Sequence, residues 1–461
     1  MQWRNAPVVG GSYADDTKPW SVQDTVNWLP LRAERPGARS DWILRTPPGL
    51  VPAFTTQDAP VRGTHNAEGK FLAVAGNKLY RLNLNGTSTQ IGTIPGVQRV
   101  SMAHNQITDG NEVMIATGQD GYVYNTRTNV LAKVTDEGFP GLKVADFVDG
   151  YIAGIEPGGR FWLHSDLAAA TSYNTIDRYE GETSPDKIVS LKVSHREVVV
   201  LSERTLDIFG NTGAATGTFE RIGGKSQEVG CAATHSVQVM DSAVWWLGDD
   251  GSVYRMFGGA PERISTQPLE QAIADLNWSQ AFAQTWEDRG FKQYIITFPD
   301  GHTWCYDVAT GEWCRRQSYG LKRWRLNTLT RWRGDWYGGD YANGTIWRLD
   351  WNVQSEGDDP LVSERTTGTA HNDGNRFPIA GLQLVFDVGR SAVGASDHWV
   401  DMCYSDDGGH NWSNWRKSSL GTTGEFRKRV QFLRLGSARQ RVWKIRVTSP
   451  HQRDLIAALI A

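Results

Sequence analysis

The chain has 461 residues, 39% hydrophobic and 21% charged, which supplies real apolar cores and excludes an intrinsically disordered polymer. With 49 Gly and 20 Trp, it favours short strands joined by tight turns over long amphipathic helices. Its net charge of −3 selects no partner, its four cysteines form no CxxC pair, and it has neither an apolar leader nor a run of roughly 18 apolar residues that could span a membrane, so a soluble chain made in a reducing cytosol without a disulfide framework is expected.

Residues 1–62 read as an extended arm plus a closing strand, because their prolines suit no helix and Pro47-Pro48-Gly49 marks a turn. A unit of short β-rich runs, a Gly or Asp-Gly turn and an aromatic strand then recurs roughly every 35–45 residues, the period of a propeller blade. It appears as Phe71–Ala75 with Lys78–Leu82, as Glu112–Ala116 with Tyr122–Tyr124, and as Tyr151–Gly154 with Arg160–Leu163. Further copies are Glu197–Leu201 with Thr205–Phe209, Ala243–Leu247 with Ser252–Met256, Gln293–Phe298 with His302–Tyr306, and Trp336–Gly339 with Thr345–Leu349. Asp-Gly and Gly-Asn pairs supply the positive φ of hairpin turns, and each unit buries too little surface alone, so neighbours must stack in a ring.

Residues 63–355 are therefore predicted to form a β-propeller of six or seven blades, with a large β-sandwich or β-solenoid as the competing architecture. One helix is predicted from Thr266, its N-cap, through Pro268, with Leu269, Ile273 and Leu276 on one face, linking two blades. Gly357-Asp358-Asp359-Pro360 reads as a boundary. Alternating runs at Gly381–Val388, Trp399–Tyr404 and Val442–Val447 predict a C-terminal β-sandwich over 361–461. The fold class is all-β.

Charge is unevenly placed. From Asn411 onward eleven bases face only Glu425 and Asp454, so this end carries +9 and the remainder −12. The bases include the run Arg427, Lys428, Arg429. A second aromatic-basic stretch holds Arg323, Trp324, Arg325, Arg331, Trp332 and Arg333. Both stretches are candidate interfaces, since Trp and Arg are enriched where subunits meet; stacking and charge would also suit nucleic acid.

Catalytic motifs are absent from the sequence. The histidines form no HExxH, and no GxSxG or phosphate-binding glycine loop occurs, so no metal, cofactor or catalytic residue is assigned and no enzyme is expected. The turn Ser405, Asp406, Asp407, Gly408, Gly409, His410, Asn411, Trp412 resembles the Asp box of sialidases, with Asn411 where Thr is usual. In such a box Ser405, Asp407, Gly409 and Trp412 shape a hairpin rather than cleave a sugar. A carbohydrate-binding or sialidase-like propeller is the alternative function this motif keeps open.

Several segments taken together resemble the packaged-DNA-stabilisation family, the tail hub or nozzle proteins of short-tailed phages. They are Asn27–Pro30, Leu44–Leu50, Gly76–Tyr80, Arg99–His104, Ser184–Ile188 and Ser202–Ala214. The resemblance implies a virion protein made in the host cytoplasm that assembles as a homo-oligomer, a hexameric ring, beneath the portal and head-tail adaptor. It implies a ring that continues the channel for genomic double-stranded DNA, keeps the packaged genome in, and holds needle, tailspike or fibre proteins. It carries over no catalytic residue.

Overall fold

The computed structural model describes residues 3–6, 8–106, 111–181, 183–390 and 398–461. The apolar second strand of each unit, such as Phe71–Ala75 or Ala243–Leu247, is buried on both faces, which forces the units to stack. The turns meet close neighbours: Gly251 sits at φ +81°, and a Cβ there would lie 2.6 Å from the Trp278 ring.

The described residues form seven four-stranded antiparallel blades. Their innermost strands are Val61–Ala67, Ser101–His104, Ala145–Val148, Ile188–Ser194, Gln238–Met240, Phe282–Asp288 and Leu326–Trp332. These neighbour one another in order, and the last packs back on the first, closing the ring. Each blade seals against the next with its own apolar core; Leu72 and Val74 of blade 1, for example, meet Val113 and Ile115 of blade 2. Blade 7 takes three strands from residues 326–350 and its outer strand, Gly49–Thr55, from the N-terminal region, in antiparallel register from Thr345↔Thr55 to Asp350↔Gly49. The α-helix Gln267–Ile273 lies between blades 5 and 6 with Leu269 and Ile273 buried; Thr266 precedes it, but its side chain makes no capping hydrogen bond.

The remaining N-terminal strands do not lie apart as an arm. Leu29–Arg32, Trp42–Arg45 and Arg4–Ala6 join Leu455–Ile460, Gly381–Phe386 and Val430–Leu433 in one sheet. Val22–Val26 joins Ser363–Thr366, Gln440–Val447, Trp399–Ser405 and Arg416–Ser419 in the other. The core between the sheets gathers Trp28 and Leu44 with Leu384, Met402, Phe432 and Trp443. Val26 also bridges in parallel to Arg315 on the outer strand of blade 6, so propeller and sandwich share an eleven-stranded sheet.

Arginines fasten the N-terminal segment to the C-terminal strands within the sandwich. Arg365, fully buried, donates to the Val8 and Gly11 carbonyls, each at 2.6 Å, and to Gln23 at 2.8 Å. Arg453 donates to Ser363 Oγ at 3.0 Å, and its own carbonyl accepts from Trp28 Nε1 at 3.1 Å. Cys231, Cys305, Cys314 and Cys403 are all buried and unbridged.

Candidate functional site

The Asp-box-like turn is a closed local network. Ser405 Oγ donates to Asp407 Oδ1 at 2.7 Å and accepts from the Gly409 amide at 2.8 Å. Asp407 accepts from the Asn411 amide at 2.9 Å and from Asn411 Nδ2 at 2.7 Å, and these bonds, with Ser405, hold its carboxyl well below the usual range. Trp412 is half-buried under Lys444, whose Nζ lies 4.5 Å from the ring centroid. A Cβ on Gly408 would come within 2.8 Å of Pro19, so the turn seats directly on the N-terminal segment. Next to it, Asp406 takes a bidentate ion pair from buried Arg441 at 2.5 and 2.7 Å. The side chains of Ser405, Asp406, Asp407 and Asn411 are committed to the turn itself and to the sandwich.

The 323–333 stretch divides into buried and exposed parts. Trp324 is 2% exposed and donates to buried Glu356 at 3.0 Å; Trp332 is 4% exposed and donates to the Gly69 carbonyl at 2.9 Å. Arg323 is buried between the Phe282 and Tyr341 rings, and Arg325 bonds Asp340 at 2.8 Å and Asp359 at 3.1 Å. These four side chains hold blades together and present nothing to a partner in this fold. Arg331 and Arg333 are exposed. The sequence signal misled because Arg and Trp alternate here as they do at interfaces, while the carboxylates that neutralise the arginines lie up to 34 positions away.

Arg427, Lys428 and Arg429 are exposed, as are Arg416, Lys417, Arg434 and Arg439. Arg441 and Arg453 are buried, so the basic excess of this end is partly internal. The exposed run edges a groove of about 380 Å³ on the sandwich that also takes in Trp3, Arg39 and Phe426. Phe426 is 69% exposed, which puts an apolar ring among the cations. A basic rim around an apolar contact is chemistry for docking an acidic protein surface.

Among the described residues no group of three or more His, Cys, Asp or Glu side chains converges to hold a metal, and no helix is long and apolar enough to cross a membrane. Sequence reading overlooked the propeller axis, where His65 Nε2 and His104 Nδ1 lie 2.8 Å apart. The signal was available: the two are 39 positions apart, one blade period, on adjacent innermost strands.

A family model described as the β-propeller of bacteriophage P22 Gp10 matches residues 4–354, and one described as the β-sandwich of the same protein matches residues 363–460. No curated protein matches. Solved structures similar to the chain include the computationally designed Ika8 protein, 13% identical, covering 65% of this chain and 99% of its own, with a TM-score of 0.38. Virginiamycin B lyase from Staphylococcus aureus is 12% identical over 65% of this chain and 98% of its own, with a TM-score of 0.46. The extracellular domain of a hybrid two component system from B. thetaiotaomicron is 10% identical over 76% of this chain but only 43% of its own, with a TM-score of 0.45.

Proposed function

The chain belongs to the bacteriophage P22 Gp10 family, and from that premise we propose that this structural protein of a phage tail works as the nozzle or hub. Copies assemble into a ring, of six in this reading, beneath the portal and adaptor. The ring extends the DNA channel, retains the packaged genome, and anchors needle, tailspike or fibre proteins. The work is mechanical, with no bond made or broken. The protein is made in the host cytoplasm and ends in the virion.

The observation that carries this reading is the match of both family models, which between them run through the whole body of the chain. The shape of the molecule supports it. Propeller and sandwich share a sheet and are tied by the Asp24–Arg315 ion pair and by Asn27 on the Gln317 backbone, so load applied to one is passed to the other without a flexible linker. The exposed basic face around Arg427–Arg429 suits an acidic patch on a neighbouring copy or on the adaptor, and the surplus of acids elsewhere would repel DNA phosphates from the rest of the surface.

Negative-stain imaging of the full chain mixed with its adaptor tests the proposal. Rings of six on the adaptor are expected. Single copies that stay unattached in the presence of the adaptor would overturn it; a monomer without the adaptor would not, because such rings can form only on a template.

A further inference from the structure

The propeller axis encloses a cavity of about 500 Å³ walled by all seven innermost strands. Its charges have one sign. Arg99, Lys192 and Arg331 line it together with His65 and His235, and no Asp or Glu is among the described residues of its wall. Lys192 is paired with Asp146 at 3.3 Å, a carboxylate that also accepts the Val193 amide at 2.9 Å and the Phe147 amide at 2.9 Å.

Arg99 is the most telling member. Its guanidinium lies 3.8 Å over the Phe282 ring and donates from Nη2 to the Asn327 carbonyl at 2.6 Å, yet its Nη1 is shielded from water with no hydrogen-bond partner. A shielded cation with an unused donor costs free energy unless an anion completes it. Blade stacking alone does not require that arrangement, since an apolar side chain would seal the axis without the cost.

We propose that the propeller axis is a binding site for a phosphate-type dianion, held by Arg99 and Lys192 with the imidazoles of His65 and His235 as further donors. Arg99, just before the innermost strand of blade 2, and Lys192, in that of blade 4, both line the cavity. Charge-assisted hydrogen bonds from a guanidinium and an ammonium are the usual means of holding this ligand class. Without a counter-charge the imidazoles of the wall are held neutral. Burial, then the positive charge of His104 and Lys192, draws His65 down to about 3, and burial with Arg99, Lys143 and Lys192 does the same to His235. A bound dianion would supply the missing opposite charge. The ligand is either free phosphate or the terminal phosphate of a nucleotide.

Thermal unfolding of the full chain in sodium phosphate, against sodium chloride of equal ionic strength, tests this directly, since a ligand of the folded state raises Tm with its concentration. A second arm uses deoxynucleoside 5′-monophosphate. A phosphate-specific rise is expected in the parent chain and in Arg160→Gln, an exposed change on blade 3. In Arg99→Gln and Lys192→Gln the apparent affinity should weaken roughly tenfold or more. Near-UV circular dichroism in chloride checks folding, and Lys192→Gln, at a partly exposed position, carries the test if Arg99→Gln does not fold. A larger response to the monophosphate assigns the nucleotide; an equal or smaller one assigns free phosphate. No rise in either arm, a rise that survives Lys192→Gln, or one that Arg160→Gln also abolishes would overturn the site. The measurement needs no ring, so its outcome is separate from that of the assembly proposal.

Discussion

Asp24, on a strand of the sandwich, receives a two-pronged ion pair from Arg315 on the outer strand of blade 6, 291 positions further along the chain, with Arg315 Nε 3.0 Å from Asp24 Oδ1. Burial alone would raise the Asp24 carboxyl. The charge and hydrogen bonds of Arg315, with Ser12 and Arg365, outweigh it and hold the carboxyl below its ordinary value of 3.8.

Asp24→Asn should therefore destabilise the fold by about 3 kcal/mol, because it strands Arg315 without its counter-charge. A carboxyl with a depressed folded pKa gives stability above its unfolded pKa that is lost as pH falls through the folded one. The gap between parent and variant in urea unfolding should be full at pH 7 and shrink below about pH 4. A gap that stays constant down to pH 2 would contradict the assignment.

Acid should weaken the protein well before its carboxylates titrate. Burial first, and then neighbouring positive charge, draws His65 and His235 down to about 3 and His398 down to about 4, while their unfolded value is 6.5. Below pH 6.5 the unfolded chain takes up protons that the folded one refuses, so stability falls toward pH 4. Unfolding free energies measured at pH 7.5, 6 and 5 should decline in that order; a flat profile would show that these rings are not held neutral.

The thiols should be inert in the native state. Burial raises Cys231 and Cys403 to about 11, and Cys314, paired across strands with Cys305, is raised by that neighbour's hydrogen bond and by burial. A thiol-reactive disulfide reagent should modify all four only as fast as the chain unfolds. Rapid labelling of any one under native conditions would be incompatible with this packing.

Replacing Gly141 by Ala should cost on the order of 2–4 kcal/mol. It sits at φ +94°, and an added Cβ would lie 1.8 Å from the Gln119 carbonyl oxygen, a backbone atom that cannot swing away. Thermal melts of this variant beside Gly213→Ala, at φ +76° with open space around it, separate the clash from the backbone term. Equal losses would mean that the contact with Gln119 carries no weight.

Neutralising Arg427, Lys428 and Arg429 together to Gln should weaken ring or adaptor assembly and flatten its dependence on salt, while leaving the monomer's stability within about 0.5 kcal/mol, since all three are exposed. Assembly that responds identically to a salt titration in parent and triple variant would remove this face from the interface.

The blades were legible because each is a local event: an apolar strand, a turn with positive φ, and an aromatic strand within about 40 residues. The seat of Ser405–Trp412 on Pro19 was not, nor was the pairing of Arg4–Ala6 with Leu455–Ile460, because contacts between distant segments leave no periodic trace. Arg365, Arg441 and Arg453 look like surface residues in sequence, and only the carbonyls and carboxylates gathered around them explain their burial. Trp324 and Trp332 are buried for the same reason, held by Glu356 and by the Gly69 carbonyl. The axial cluster was missed because its members come from several blades, each contributing one unremarkable side chain.

The strand pairing between the two ends of the chain also sets a timetable for biosynthesis. Residues 29–45 have no partner sheet until the segment beyond residue 455 leaves the ribosome, a wait on the order of tens of seconds. During that interval Trp28 and Leu44, later wholly enclosed, are open to chaperones and to other nascent chains. A nonsense codon late in the message would accordingly release a ring of finished blades trailing sticky, unpaired β-segments, so production of this protein should tolerate premature termination far less well than its modular repeats suggest.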